Sequence, residues 1–176
     1  MILFVEVCVN SVHELGKKFP WSGPKICPCC KGRVWGHGFV TTYFQGFHIP
    51  LWVRRYRCPD CRAVIRLRPE GYWSRFQTPI GTIREALSHR FNKSRWWPDL
   101  PRPHQRHMLR GLRRQICFHL GPSWEGDPLA AFDRLSAMGI AAASRVILPW
   151  VTEVRINMEH GGNYWQKSLN PVSLFT

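Results

Sequence analysis

Residues 25–35 read KICPCCKGRVW, and within this stretch Cys27 and Cys30 have the C-x-x-C spacing of a metal-binding knuckle. A second C-x-x-C unit, Cys58-Pro59-Asp60-Cys61, follows after 27 intervening residues. Two such units predict one tetrahedral site in which four thiolates hold a single Zn²⁺ ion. Because a site closed by four protein ligands has no open coordination position, we expect this zinc to be structural and not catalytic.

The residues between and after the two cysteine pairs favour β-strands. Residues 33–44 and 47–57 are rich in β-branched and aromatic side chains, a turn is predicted at 45–46, and the strand-like run AVIRLRP follows Cys61. This order predicts an antiparallel zinc ribbon whose hairpin brings the cysteine pairs together. A three-stranded ribbon buries little apolar area, so we expect the metal to supply much of its stability.

The remaining cysteines and one histidine near the first pair have other expected roles. Cys29 should point away from the metal, although a changed turn would let it replace Cys30 as a ligand. His37, in the sequence Trp-Gly-His-Gly, is expected to be a surface or hydrogen-bonded residue, with substitution as a ligand as the alternative. Cys8 and Cys117 have no partner at metal-binding spacing and are predicted to be core thiols.

Three helices are predicted after the ribbon. The first spans about 79–92, and the second spans about 104–120 after a Pro-rich link, each with apolar residues at helical spacing. The third is capped by Asp127-Pro128 and breaks at Gly139. Its apolar face carries Leu129, Phe132 and Leu135.

A fourth, shorter helix over 140–148 would complete a pattern that is typical of a helix-turn-helix. That helix would offer Ser144 and Arg145 to a DNA groove, and a plain helical hairpin is the alternative. The predicted fold class is therefore α+β. Its parts are a zinc ribbon with an N-terminal strand (1–77), a mainly helical domain (78–150) and a C-terminal extension with a possible β-hairpin (151–176).

Positive charge is concentrated in the middle of the chain. The net charge is +14, and residues 54–114 contain 15 Arg and 1 Lys against four acidic residues. This concentration indicates a surface for a polyanion, most often nucleic acid, with a basic surface kept only for solubility as the alternative. The arginines assigned to phosphate contacts are Arg54, Arg55, Arg57, Arg62, Arg66 and Arg68 on the ribbon and Arg106, Arg110, Arg113 and Arg114 on the second helix. The helix-borne set lies on a different side from the apolar face.

The sequence predicts no membrane segment. No run reaches the roughly 18 apolar residues of a membrane span. The first ten residues, MILFVEVCVN, are short, lack a basic start and are interpreted as a strand and not as a signal peptide. We therefore expect no membrane partner and a cytoplasmic, nucleoid-associated location in a bacterium, where paired C-x-x-C units favour metal over disulfides.

The order of these motifs resembles a known family region. The CPxC unit, the Trp-Gly-His-Gly strand, VRRYRCPDCRAVIRLRPEGY, the aromatic–basic linker and the helices are together similar to the N-terminal region of bacterial insertion-sequence transposases and related mobile-element proteins. The resemblance covers roughly residues 20–120. It implies a zinc ribbon followed by helix-turn-helix modules that recognise the terminal repeats of an element, with Cys27, Cys30, Cys58 and Cys61 as zinc ligands. Such transposases also carry a nuclease domain, and the remaining acidic residues here form no pattern of that kind.

The leading hypothesis is a non-enzymatic, zinc-stabilised protein that binds double-stranded DNA, as a transposition accessory, a truncated transposase or a domesticated regulator. A recombinase or another member of a transposition complex is the expected protein partner. One alternative is an RNA or single-strand binder that stacks bases on Trp52, Tyr56, Trp73 and Phe76. Another is a zinc-ribbon adaptor for protein partners. An enzyme is not expected, because Cys29 has no visible base and no catalytic motif is present.

Overall fold

The strand-rich part of the sequence forms one sheet in the computed structural model of the chain, which describes residues 1–147 and the backbone of 154–155. The strands are β1 (Ile2–Val5), β2 (Trp35–Thr42), β3 (Leu51–Arg57), β4 (Val64–Pro69) and the two-residue β5 (Val154–Arg155). Their order across the sheet is β2-β3-β4-β1-β5.

Strands β2, β3 and β4 pair antiparallel, as the sequence predicts for the ribbon. Strand β1 instead pairs in parallel with β4 on one side and with β5 on the other. The sheet is therefore mixed and larger than the predicted antiparallel ribbon. Leu3, Phe4 and Val5 are all buried, and a strand with apolar side chains on both faces is typical of the covered interior of a sheet with parallel pairing and not of an edge.

A short helix that the sequence patterns did not predict packs on this sheet. Helix α1 (Val9–Leu15) buries Val12 completely and continues into a 3-10 turn, Gly16–Lys18. The ammonium of Lys17 lies 4.1 Å from the ring centroid of Trp52 on β3, within the range of a cation–π contact. Cys8 immediately precedes the helix and is exposed, so its prediction as a core thiol is wrong.

Three helices form a second unit. They are α2 (Ile80–Lys93), α3 (Arg102–His119) and α4 (Pro128–Ala137), and each contacts the other two. Their starts and ends agree with the predicted helices to within two residues. The Asp127 carboxylate accepts a hydrogen bond from the Ala130 N–H at 3.1 Å, which confirms the predicted N-terminal cap of α4. The shared core contains Trp73, Ile83, Leu87, Met108, Leu112, Leu129, Phe132 and Leu135.

The predicted fourth helix is absent from its described part, residues 140–147, which form turns and irregular chain. Gly139 ends α4 with a φ of 76°, a backbone conformation that glycine adopts without strain. The following carbonyl groups of Ser144 and Val146 are bound by the buried amide of Gln115, with both distances 2.9 Å. Because these carbonyls have a tertiary partner, the segment does not need helical hydrogen bonds, and the expected presentation of Ser144 and Arg145 on a helix is wrong.

The chain divides into two compact units. Residues 1–70 and 152–176 form the first, here called the sheet unit, and residues 71–151 form the second, here called the helical unit. The hairpin predicted within 151–176 lies outside the described residues except for β5. The domain boundary predicted at 77–78 stays a prediction.

Candidate metal centre and basic surfaces

The four cysteines of the two C-x-x-C units meet in the sheet unit. The sulfur atoms of Cys27, Cys30, Cys58 and Cys61 all lie within 4.8 Å of one another. The Sγ atoms of Cys27 and Cys61 are 3.5 Å apart and those of Cys30 and Cys58 are 3.4 Å apart, and none of the four is in a disulfide. A tetrahedron with Zn–S bonds of about 2.3 Å has sulfur–sulfur edges of about 3.8 Å, so the donor set has the right type and size for one metal ion.

The two cysteine pairs are built in the same way. In the first, the Cys27 N–H donates to the Gly32 carbonyl at 2.7 Å, and Ile26 forms an antiparallel bridge with Arg33. In the second, the Cys58 N–H donates to the Ala63 carbonyl at 3.0 Å, and Arg57 pairs antiparallel with Val64. Each cysteine pair thus lies in a tight hairpin that is closed by the residues flanking the two cysteines.

The backbone turns left-handed at the same point of both hairpins. Lys31 and Arg62, each directly after the second cysteine of its pair, have φ values of 66° and 60°. A left-handed residue costs about 1 kcal/mol or more when it is not glycine, and it persists where the surrounding structure determines it. The repeated geometry indicates that each turn is shaped to aim two sulfur atoms at one point.

The electrostatics of the cluster favour a cation. Burial raises the pKa of the Cys27 thiol, but hydrogen bonds from the backbone N–H groups of Cys30 and Cys29 and from neighbouring thiols outweigh it and lower the pKa to about 7. The pKa values of Cys58 and Cys61 are raised despite backbone hydrogen bonds, because burial and neighbouring thiols oppose their ionisation. A divalent cation offsets the repulsion between neighbouring thiolates, so all four sulfur atoms can bind it in the deprotonated form.

Three other residues, Cys29, His37 and Cys117, lie outside the cluster of ligand atoms. Cys29 is exposed and its sulfur is not among the clustered ligand atoms, although its backbone N–H donates to the Cys27 sulfur at 3.4 Å. His37 is exposed on β2 and its ring is not among the clustered ligand atoms. Cys117 is exposed on α3, so its prediction as a core thiol is wrong.

The ribbon arginines have different surroundings. Arg57, Arg62 and Arg66 are exposed, and Arg54 and Arg55 are half-buried. The Arg54 guanidinium lies 4.7 Å from the centroid of the Phe39 ring. Arg55 and Arg66 are directly opposed across β3 and β4, and neither forms an ion pair with a carboxylate of the described residues.

Arg68 belongs to the arginines predicted to bind phosphate, but it is buried. Its side chain is 5% exposed, and its guanidinium lies 5.2 Å from the ring centroid of Phe44. Arg66 and Arg68 are two residues apart on β4 and so share a face, but only Arg66 faces solvent. In this structure Arg68 therefore belongs to the core of the sheet unit and not to its surface.

The four arginines assigned to α3 lie together on its solvent side. Arg106, Arg110, Arg113 and Arg114 are all exposed, whereas Met108 and Leu112 on the same helix are fully buried. None of the four pairs with a carboxylate in the part of the chain that the structure describes, where Arg84 forms an ion pair with Asp133 at 2.7 Å. The predicted separation of a basic and an apolar side is confirmed.

The aromatic residues that the sequence suggested for base stacking are not available for it. Trp73 is 1% exposed in the core of the helical unit and Phe76 packs against that core. Trp52 is half-buried under Lys17, and the half-buried Tyr56 donates to the Trp21 carbonyl at 3.5 Å.

The aromatic residue that sequence reasoning missed is Trp35, at the start of β2, which is 60% exposed. The same pattern of alternating aromatic residues also marks buried strand positions, so the local sequence does not show that Trp35 is exposed. Its pairing opposite Arg57, the last residue of β3, is visible only in the register of the sheet.

No family model, curated protein or solved structure matches this chain. The interpretation of the metal centre and the basic surfaces therefore depends on their own geometry. Within the described residues, no helix combines the length and the apolar character needed to cross a membrane.

Proposed function

We propose that this chain is a non-enzymatic, zinc-stabilised DNA-binding protein. The observation that carries the proposal is the row of exposed arginines on α3, Arg106, Arg110, Arg113 and Arg114, which lack carboxylate partners among the described residues. Guanidinium groups form paired hydrogen bonds with phosphate oxygens, and unpaired ones retain that capacity.

The dimensions of α3 suit a nucleic-acid duplex. Arg106 and Arg114 are eight residues apart, which corresponds to about 12 Å along a helix that rises 1.5 Å per residue. The phosphates of one DNA strand are about 3.4 Å apart along the duplex axis, so a row of this length matches about three to four phosphates of one strand. Because the four arginines lie on one side of α3, we expect them to contact phosphates along one edge of a groove.

Zinc is the metal that the sulfur ligands favour. Four thiolates in a tetrahedral arrangement select Zn²⁺ or an iron–sulfur centre, and sulfur atoms within 4.8 Å of one another leave room for one ion only. In this proposal the sheet unit is a zinc ribbon whose metal holds β2, β3 and β4 in place. The chemistry that the ion supplies is structural.

The zinc proposal is tested by two variants with the same chemical change, Cys58→Ser at a proposed ligand and Cys29→Ser at an exposed cysteine outside the cluster. Structural zinc sites contribute about 10–16 kcal/mol in small peptides, or roughly 3–4 kcal/mol per ligand. Cys58→Ser should therefore weaken zinc affinity by about 10²- to 10³-fold in a competition titration with a chromophoric chelator. Cys29→Ser should leave affinity and a stoichiometry of one zinc per chain unchanged, and equal losses in both variants would contradict the assignment.

The biological setting that we propose is DNA transposition. A zinc ribbon together with an arginine-rich helical unit suits a transposition accessory, a truncated transposase or a domesticated regulator. Its partners would be duplex DNA and a recombinase, and its location the bacterial nucleoid. The support for this setting is the order of motifs in the sequence together with the two arginine surfaces.

Salt-dependent binding tests DNA recognition directly. The logarithm of the association constant should fall with the logarithm of salt concentration, with a slope of about −0.9 for each phosphate contacted. The double variant Arg110→Gln/Arg113→Gln should reduce the slope by about 2. The control Lys93→Gln/Arg134→Gln removes the same number of positive charges from α2 and α4 and should change the salt slope less. A wild-type affinity that does not respond to salt would refute the proposal.

A further inference from the structure

A shallow depression on the sheet unit lies where β2 begins and β3 ends, beside the second cysteine hairpin. It measures about 360 Å³, which is within the range of small-molecule sites, and it is open to solvent. Its lining residues are Trp35, Gly36, His37, Arg57, Pro59 and Arg62. An aromatic ring, two guanidinium groups and an imidazole thus surround one space without a carboxylate in the lining.

The position of each group is fixed by the sheet and the metal hairpin. Trp35 and Arg57 are directly opposed across β2 and β3, so their side chains emerge on the same face. Arg62 follows Cys61 in the left-handed turn, with a φ of 60°. The nearby carboxylate of Asp60 is turned elsewhere, since its oxygen would lie 1.8 Å from a Cβ added at Gly32.

We propose that this depression binds one unpaired nucleotide of a nucleic-acid strand, with the base stacked on Trp35 and the adjoining phosphate held by Arg57 and Arg62. This inference rests on the proposed function and adds a subsite to it. An indole that is 60% exposed offers a stacking surface to any base. Two guanidinium groups beside it repel a cationic ligand and attract a phosphate, which selects a nucleotide over a methylated lysine or a neutral apolar peptide.

A base within a duplex cannot reach this ring, because both of its faces are covered by neighbouring base pairs. The subsite is therefore expected to recognise a single-stranded end, a gap or an extruded base, while the arginines of α3 contact duplex phosphates. This division differs from a general basic surface, which would bind paired and unpaired strands through charge alone.

The test compares a blunt 20-base-pair DNA duplex with fluorescein-labelled 12-nucleotide oligodeoxyuridylate and oligouridylate, which differ only in the 2′-hydroxyl of the sugar. Trp35→Ala should weaken binding of a single strand by about 5- to 100-fold, the loss of one stacked base, and should leave duplex affinity unchanged. Trp35→Phe should restore most of the single-strand affinity. Dependence on Trp35 with either oligonucleotide supports the inference, and the tighter of the two identifies the sugar.

Controls separate this inference from the proposed function. Tyr43→Ala removes an aromatic side chain of similar exposure, 55%, from the sheet unit outside the depression and should not change single-strand binding. Zinc content of the Trp35 variants should remain one per chain, which shows that the sheet unit is folded. If Trp35→Ala leaves single-strand binding unchanged while the wild type binds duplex with a steep salt slope, the subsite is refuted and DNA binding stands. If the wild type binds neither strand type, both are refuted.

Discussion

Replacing Gly111 by alanine tests the close contact that substitutes for the predicted fourth helix. A Cβ added at Gly111, in the middle of α3, would lie 2.0 Å from the carbonyl oxygen of Ala143. Ordinary contacts of this kind are longer than 3 Å, so the segment at Ala143 must move by at least about 1 Å. The obstacle is backbone, which cannot rotate away as a flexible side chain can.

The expected loss of stability has two sources. Overpacking of a well-packed core typically costs about 1–3 kcal/mol. A shift of the same segment would also stretch the 2.9 Å hydrogen bonds from Gln115 to the carbonyls of Ser144 and Val146, at about 1 kcal/mol each. Alanine has a better helix propensity than glycine by about 1 kcal/mol, which offsets part of this. We therefore expect Gly111→Ala to lower the free energy of unfolding by about 2–4 kcal/mol.

A matched control lies on α2. A Cβ added at Gly81 meets nothing within 4 Å, so Gly81→Ala should gain helix propensity without a clash and raise stability by up to about 1 kcal/mol. Urea unfolding followed by far-UV circular dichroism measures both variants. If Gly111→Ala were as stable as Gly81→Ala, residues 140–147 would not lie against α3 as the structure places them.

Three further predictions concern hydrogen bonds, ion pairing and metal. Gln105→Leu removes three hydrogen bonds, one that the side chain accepts from the Trp97 N–H and two that it donates to the carbonyls of Trp97 and Leu100. Urea unfolding should show that the free energy of unfolding falls by about 2–4 kcal/mol, and a fall of less than about 1 kcal/mol would contradict the role of these bonds. Hydrogen bonding to Arg84 lowers the pKa of Asp133, so the pair stabilises at neutral pH and loses its effect as pH falls through that lowered pKa. Because the pair is half-exposed, Asp133→Asn should be about 0.5 kcal/mol less stable than wild type at pH 7. The stabilities of the variant and the wild type should converge below about pH 4, and a difference that stays constant with pH would exclude the carboxylate as its cause. A zinc chelator should increase amide exchange in β2, β3 and β4 before it affects α2, α3 and α4, whereas simultaneous exchange would show that the metal stabilises both units equally.

The sequence predicted the metal ligands and the main helices because their signals are local. Two C-x-x-C units leave few alternatives, since metal chemistry fixes both the residue type and the spacing. The apolar spacing in α2, α3 and α4 also repeats along one chain segment, so each helix can be recognised without knowing its neighbours. The Asp127-Pro128 cap of α4 is a signal of the same local kind.

The features that the sequence did not reveal depend on contacts between distant segments. Residues 140–147 have helix-forming alanines, but the buried amide of Gln115, about 30 positions earlier, binds their carbonyls. Arg66 and Arg68 have the same local pattern, but only Arg68 is buried in the folded chain, where its guanidinium lies against the Phe44 ring. Helix α1 has seven residues and no side-chain cap, so its own sequence carries little signal.

The sheet unit combines a source of stability with a source of strain. Arg55 and Arg66 are directly opposed across β3 and β4, and like charges in that position destabilise a sheet. Neither arginine has a carboxylate partner in the described part of the chain, so folding of the unit alone does not explain why both are present. A metal ion bound by four thiolates can stabilise the strands in spite of this repulsion, and a bound polyanion relieves it. In the nucleic-acid complex that we propose, phosphate groups would offset this repulsion, so part of the charge that is unfavourable for folding would contribute to binding.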